Sequence, residues 1–251
     1  MRRAGLRMAV PLLLVLVWWT TSQASTSPFY PPATDVLRAF RETWLFARAG
    51  SDVLPSLVRL LLGLLLATLA GVAAGVAIGR SRALARALNP AVQFARSVPG
   101  TALVPIAVVV LGIGDGAKIA VIAFVCLFPV LLTTADAVRG LDPQLEDVAR
   151  SYRLTAGQRL TSVLLPAAAP QIFAGVRTAL GIAFIMMVVT ELYAATNGIG
   201  FVTVTARNSF DVPRMWAGSM LLGLLGVALS ALFLLLQRRV LRWHAGLTER
   251  T

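Results

Sequence analysis

The stretch LPSLVRLLLGLLLATLAGVAAGVAIG, residues 54–79, decides the fold of this chain. Arg59 is the one charged residue in it. A helix needs about 20 mostly apolar residues to cross a bilayer, and it satisfies its own backbone hydrogen bonds where no water is present. The stretch is too long and too uniformly apolar for a buried strand. It therefore predicts a membrane-spanning helix.

Five further apolar stretches have the same character, and together with the first they predict an all-α membrane protein with six transmembrane helices. These stretches are Leu6–Thr20, Val98–Leu111, Ala117–Val138, Ala168–Tyr193 and Met215–Leu241. Val98–Leu111 is short for a span unless its helix begins earlier. A single domain over 1–251 then divides into a first span (1–20), an outer segment (21–53), spans two to four (54–139), a cytoplasmic loop (140–167), spans five and six (168–241) and a tail (242–251).

The N-terminal stretch has two interpretations. Three arginines precede a short apolar run, and Ser22-Gln23-Ala24 follows it with small residues at its first and third positions, as in a cleaved signal peptide. Trp18 and Trp19 at the outer end of the run are more typical of an interfacial belt. We favour a retained first span because it gives an even number of helices.

The composition excludes several classes of protein. Hydrophobic residues make up 57% of the chain, charged residues 14%, and the mean hydropathy is +0.79. A soluble domain carries roughly 45–50% apolar and about 25% charged residues. A water-soluble enzyme, a disordered protein and a disulfide scaffold are therefore excluded. Cys126 is the single cysteine, so it forms no intramolecular disulfide.

The net charge of +12 raises the question of a nucleic-acid partner, but the basic residues lie between apolar runs rather than on one soluble face. If the N-terminus is cytoplasmic, 15 of the 23 Lys and Arg residues fall in cytoplasmic segments and 6 on the opposite side. This bias follows the positive-inside rule. It predicts that both termini are cytoplasmic and that nucleic acid is not a partner.

Small residues recur every four positions in the second span, which places them on one stripe of the helix. They are Gly63, Ala67, Gly71, Gly75 and Gly79. Such a stripe lets a neighbouring helix approach closely. We predict tight helix packing along it; a seam between moving helices is the alternative.

The segment from Gly140 to Pro170 predicts two short amphipathic helices on the cytoplasmic face. Asp142 is a natural N-cap, with Pro143 at the first helical position. Apolar residues then recur at helical spacing, first at Leu145, Val148, Ala149 and Tyr152, and again at Leu160, Val163 and Leu164, with an end at Pro166. A soluble partner could hold these helices; an ordinary connecting loop is the alternative.

This segment resembles the EAA loop of ABC-importer permeases, in which Glu-Ala-Ala, three residues, Gly and a spacer precede an apolar residue and Leu-Pro. With Leu165-Pro166 as the anchor, Asp147-Val148-Ala149 takes the Glu-Ala-Ala position and Arg153 takes the Gly position. Asp for Glu keeps the charge. Arg for Gly removes the residue that best tolerates a positive φ, so the turn is expected at Gly157 instead.

The resemblance extends over nearly the whole chain and is strongest to the nitrate/sulfonate/taurine branch. The matching stretches include Tyr30-Pro31-Pro32, residues 55–63, Phe128-Pro129, Asn197-Gly198-Ile199-Gly200-Phe201 and residues 238–243. It implies a type I importer permease in the bacterial inner membrane. The solute would be sulfonate-, taurine- or nitrate-like, with a pyrimidine vitamin precursor as the alternative solute. A stand-alone channel or carrier is the alternative kind of transporter.

The resemblance also implies partners and site residues. The partners are a second copy of the chain, ATPase subunits that use ATP and Mg, an extracytoplasmic solute-binding protein and membrane lipid, and the chain itself holds no cofactor. The residues expected to contact the ATPase are Glu146, Asp147, Val148, Ala149, Arg150, Arg153, Gly157, Leu164, Leu165 and Pro166.

Charged and small polar residues within spans are candidates for the translocation pathway. They are Arg59, Thr178, Gly181, Thr190 and Glu191. Glu191 and Arg59 are expected at similar depth, so a structural ion pair is the alternative to a pathway role. We expect no metal site, and none at His244, the one histidine. The sequence contains no catalytic motif that predicts an enzyme.

Overall fold

The computed structural model describes residues 2–193 and 195–243, without the side chains of 2–8, 46 and 47. The described residues form helices, turns and short connections, with no strand among them, so the all-α prediction is confirmed for this part of the chain. The helices are α1 (Arg2–Gln23), α2 (Ala33–Phe40), α3 (Leu54–Arg80), α4 (Arg82–Ser97), α5 (Leu103–Leu111), α6 (Asp115–Arg139), α7 (Pro143–Ser151), α8 (Ala156–Gln158), α9 (Leu165–Tyr193), α10 (Ile199–Asn208) and α11 (Val212–Val240). Short π-helical segments lead from α2 into α3 and from α8 into α9.

Four continuous helices are long and apolar enough to cross a membrane. They are Ala49–Arg80, Asp115–Arg139, Ala156–Tyr193 and Val212–Val240. Counting α4 and α5 as one bent span gives five. In α1, whose first side chains are not described, the searched apolar part is Ala9–Gln23, which is shorter than a full crossing.

The third predicted span differs from the expectation in its first half. A helix does begin earlier, as α4, but it is bent by 76° from the segment Gly100–Leu111. Val98 is extended, with φ −72° and ψ 123°, because the ring of Pro99 disfavours a helical conformation in the residue before it. The nine residues of α5 reach only about 14 Å at 1.5 Å per residue, so α5 alone is too short to cross the bilayer.

The chain divides into two compact units. One contains the residues up to Ser56 together with Thr196–Leu225, and the other contains Leu57–Ala195 and the residues from Gly226 on. The core of the first unit is formed by Val36, Trp44, Ile199, Val202 and Ala217. Trp18, Phe40 and Trp216 are among the partly buried residues that pack against it.

The start of α10 is held by two buried side chains of the first unit. Asp52 accepts a hydrogen bond from the Gly198 amide at 2.8 Å, and Ser56 accepts one from the Ile199 amide at 3.0 Å. These bonds satisfy amides that a helix N-terminus leaves without an intrahelical partner. Gly198 has φ 121°, a conformation that favours glycine, and this agrees with the sharp turn expected at Asn197-Gly198.

In the second unit, the small-residue stripe of α3 lies directly against α6. Cβ atoms added at Gly63, Gly71, Gly75 and Gly79 would lie 2.5–2.9 Å from Ile122, Val130, Thr134 and Val138, respectively. Each partner lies 59 positions further along the chain, so the two helices run in the same direction. Ala67, the one member with a side chain, is 1% exposed. The stripe is a close helix–helix contact, as its spacing indicates.

Candidate functional site

Helix α7 begins as its sequence predicts. The Asp142 carboxylate accepts a hydrogen bond from the Gln144 amide at 2.9 Å, and Pro143 is the first helical residue. An ion pair between Glu146 and Arg150, at 3.1 Å, spans one turn on the surface of the helix. The cap and this i,i+4 pair stabilise a helix of only nine residues.

Helix α7 presents an apolar row to the surface. Leu145, Val148 and Tyr152 are 42%, 53% and 78% exposed, whereas Ala149 is buried. The predicted stripe is therefore divided: Ala149 packs inward and the other three residues point outward. Such a row on an otherwise polar helix suits contact with a partner.

Helix α7 ends at Ser151 and the turn after it falls at Arg153, so the expectation for Gly157 is wrong. Arg153 has φ 54°, while Gly157 lies inside helix α8. The Arg153 amide bonds to the Arg150 carbonyl at 2.8 Å, and the Leu154 amide bonds to the Ala149 carbonyl at 3.1 Å. This pair of bonds is the Schellman motif, which fixes the residue after the helix in the left-handed region. The turn therefore stays at the position of the family glycine although the residue is arginine.

The second predicted helix does not end at Pro166. It starts at Ala156, where the side chains of Thr155 and Gln158 form a capping box, and it continues without a break to Tyr193. The segment Arg159–Leu164 is π-helical. This segment directly precedes Pro166, and such wider turns are among the adjustments that let a helix accommodate a proline. Leu164, Leu165 and Pro166 are half-buried within this continuous helix.

A buried ion-pair network joins α3, α6 and α9. Arg59 is 2% exposed and donates hydrogen bonds to Glu191 and to Asp115, both at 2.7 Å. The Glu191 side chain is fully buried, the Asp115 side chain is 59% exposed, and the Lys118 ammonium lies 3.6 Å from the Asp115 carboxylate. Two cations and two anions thus balance within one cluster. Sequence reasoning found the pairing of Arg59 with Glu191 but missed Asp115.

The five pathway candidates fall into two groups. Arg59, Thr190 and Glu191 are buried inside the unit, and the Thr190 hydroxyl donates to the Met187 carbonyl at 2.9 Å. Thr178 and Gly181 lie on the exposed face of α9, and a Cβ at Gly181 would meet nothing within 4 Å. Among the residues described, no cluster of His, Cys, Asp and Glu is arranged to hold a metal ion. His244 and the tail from residue 244 lie outside the described part.

These features define a helical, multi-pass membrane protein with an exposed apolar row on a short helix. The family described as "Binding-protein-dependent transport system inner membrane component" matches residues 63–242. The chain belongs to this family. It is therefore a permease subunit of an ABC importer of small solutes in a bacterial membrane, and not an enzyme. The family implies an ATPase and a solute-binding protein as partners, and it does not favour a stand-alone channel.

Curated relatives extend the similarity over almost the whole chain. The putative aliphatic sulfonates transport permease protein of Escherichia coli (strain K12) is 34% identical over 94% of this chain and 90% of its own length. The taurine transport system permease protein of the same strain is 31% identical over 97% and 91%. The putative aliphatic sulfonates transport permease protein of Bacillus subtilis (strain 168) is 29% identical over 94% and 87%.

Proposed function

We propose that two copies of this chain form the translocation pathway of an importer for small sulfonate-, taurine- or nitrate-like solutes. The observation that carries the substrate class is the near full-length similarity to permeases named for aliphatic sulfonates and taurine. A solute-binding protein delivers the solute on the outer side. The partner ATPase supplies the energy with ATP and Mg, and this chain holds no cofactor of its own.

The proposed topology has six spans with both termini in the cytoplasm. The excess of arginines in one set of connecting segments supports it. The common direction of α3 and α6 supports it as well, because the bent segment α4–α5 must then return the chain across the membrane. Helix α1 is the sixth membrane span of this topology.

The coupling contact is the outward row of α7 with the charged residues beside it. Leu145, Val148 and Tyr152 enter an apolar groove of the ATPase, and Glu146, Asp147, Arg150 and Arg153 surround them with polar contacts. Gly157, Leu164, Leu165 and Pro166 belong to the helix that receives the movement. The exposure of the apolar row supports this assignment.

The pathway face is the exposed side of α9 at Thr178 and Gly181. A small hydroxyl and a glycine leave room for a solute and offer one hydrogen-bonding group. Arg59, Thr190 and Glu191 act behind this face as positioning residues, since their side chains are buried within the unit.

The coupling assignment is tested with a Val148→Ser/Tyr152→Ser double variant, expressed with the partner ATPase and the solute-binding protein. We expect the uptake of radiolabelled taurine and ethanesulfonate to fall at least tenfold and the ATPase to be lost on purification of the permease. The melting temperature should not change, because both side chains are largely exposed. Phe94→Ser is the matched control, since Phe94 is 74% exposed on α4, outside the coupling segment.

The two parts of the proposal fail in different ways. If the double variant retains both ATPase and uptake, the coupling role of α7 is wrong. If the wild-type complex takes up neither taurine, ethanesulfonate nor nitrate while its ATPase remains bound, the substrate class is wrong and the coupling role stands.

A further inference from the structure

A cavity of about 510 Å³ lies between α7 and the adjacent ends of α3, α4, α6 and α9. Its volume is within the range of small-molecule sites, about 300–1,000 Å³. Four arginines line it, against two acidic residues. The arginines are Arg80, Arg82, Arg139 and Arg159, and the acids are Asp142 and Glu146. Leu145, Glu146 and Leu164 of the lining belong to the coupling segment proposed above, whereas its four arginines have no role assigned above.

The acidic residues of the lining are already engaged. Asp142 caps α7, and Glu146 pairs with Arg150 on the surface of that helix. Among the described residues, Arg80, Arg82 and Arg159 form no ion pair, and Arg139 has only a distant contact with Asp136, at 3.9 Å. The cavity therefore keeps an excess of positive charge.

Arg159 carries a specific sign of a missing acceptor. Its side chain is half-buried, and its Nε atom is fully buried without a hydrogen-bond partner in the described part of the chain. A charged donor withdrawn from water without an acceptor is unfavourable. An anion in the cavity supplies that acceptor.

The helix ends around the cavity strengthen this argument. Arg80 and Arg139 lie in the last turns of α3 and α6, where a cation is favoured by the negative end of the helix dipole. Arg82 is the first residue of α4, and Arg159 lies four positions into the helix that starts at Ala156. A cation is disfavoured at these positive ends. The helix dipoles therefore do not stabilise Arg82 and Arg159, and an anion beside them would be favourable for both the exposed Arg82 and the half-buried Arg159.

We propose that this cavity binds a phosphate-type oxyanion, with Arg82 and Arg159 as its principal donors, and that the anion is the headgroup phosphate of an anionic phospholipid. Guanidinium groups bind phosphate oxygens through charge-assisted hydrogen bonds. The cavity lies at the ends of α3 and α6 that carry the cytoplasmic arginines, which is the level of the headgroups. Anionic headgroups of that leaflet attract clustered arginines.

The test uses the purified full-length chain in nanodiscs of phosphatidylcholine, with and without phosphatidylglycerol. We expect phosphatidylglycerol to raise the melting temperature of the wild type. In Arg82→Gln and in Arg159→Gln the half-saturating lipid fraction should increase about tenfold, and Arg159→Lys should lie in between. Arg86→Gln removes the same charge from α4 outside the cavity, and it should stay within twofold of the wild type.

A second arm separates the two sources of phosphate. Inorganic phosphate and glycerol 1-phosphate are titrated into the chain in phosphatidylcholine nanodiscs. One outcome is that these ions stabilise the wild type but not the cavity variants, while phosphatidylglycerol does not stabilise the wild type. The oxyanion site then stands, and its assignment to a lipid headgroup is wrong. The proposal is overturned if no phosphate compound stabilises the wild type, or if the cavity variants behave like Arg86→Gln.

Discussion

Glu191→Gln tests the buried ion-pair network by removing one of its two carboxylates. The substitution keeps the size of the side chain but leaves the cluster with a net positive charge. Removing one partner of a buried pair costs about 3–5 kcal/mol. We expect a loss near 3 kcal/mol, because Arg59 keeps its 2.7 Å bond to Asp115.

The assay is thermal unfolding of the purified chain in detergent. For a domain of 150–250 residues, 1 kcal/mol lowers Tm by about 2–4 °C, so the variant should melt about 6–12 °C below the wild type. Asp136→Asn is the control, since Asp136 and Arg139 form an exposed pair at 3.9 Å. A pair of that kind contributes about 0–1 kcal/mol, so Tm should shift by only a few degrees.

A double variant separates the pairing from simple packing. Arg59→Met/Glu191→Leu removes one charge of each sign and leaves Asp115 with Lys118. Apolar replacement of a buried pair is often neutral, so this variant should be more stable than Glu191→Gln. The balanced cluster is refuted if Glu191→Gln leaves Tm unchanged. It is also refuted if the double variant loses as much stability as Arg59→Met and Glu191→Leu lose when added together.

Three further predictions concern the backbone. Arg153→Gly should raise the stability of the folded state by about 1 kcal/mol, because glycine adopts φ 54° without the strain of a side chain, whereas Arg153→Val should lower it. Hydrogen exchange over residues 143–165 measures both effects. Equal protection in the two variants would contradict the left-handed turn. Gly75→Val should prevent folding, because its Cβ would lie 2.7 Å from the Leu131 carbonyl oxygen, whereas Gly181→Val should be tolerated. The yield of monodisperse protein in detergent is measured for both variants. A folded Gly75→Val would refute the close contact. Ser56→Ala leaves the buried Ile199 amide without its acceptor, at a cost of about 1–3 kcal/mol, and should speed the exchange of that amide. Ser219→Ala is the exposed control, and similar exchange in both variants would argue against the cap.

The spans were predictable from sequence because the bilayer imposes one strong requirement on length and polarity. Leu54 is both the predicted and the observed start of α3, and the ends of α6 and α11 lie within a few residues of their expected positions. Pro99 and Pro166 show the limit of this reasoning. A span bends at the extended residue before Pro99, whereas Pro166 lies within a continuous helix, so a proline does not by itself predict where a helix ends.

The sites were predictable where the determining residues are neighbours in sequence. Asp142 with Pro143 indicates the start of α7, since a cap and its helix are local. Asp115 was missed because it lies just before the predicted span Ala117–Val138, so it was not considered among the charged residues within spans as Glu191 was. Arg153 was missed for another reason: hydrogen bonds of the helix end, rather than the intrinsic preference of the residue, determine its conformation.

The unbroken helix from Ala156 to Tyr193 has a mechanical consequence. Its 38 residues measure roughly 57 Å at 1.5 Å per residue, and it carries the capping box at one end and Glu191 near the other. It is thus one continuous element rather than two helices joined by a hinge. Glu191, held by Arg59 of α3, anchors one end. Under the coupling role proposed above, a push on the opposite end would displace the Thr178 face between them instead of being absorbed in a loop.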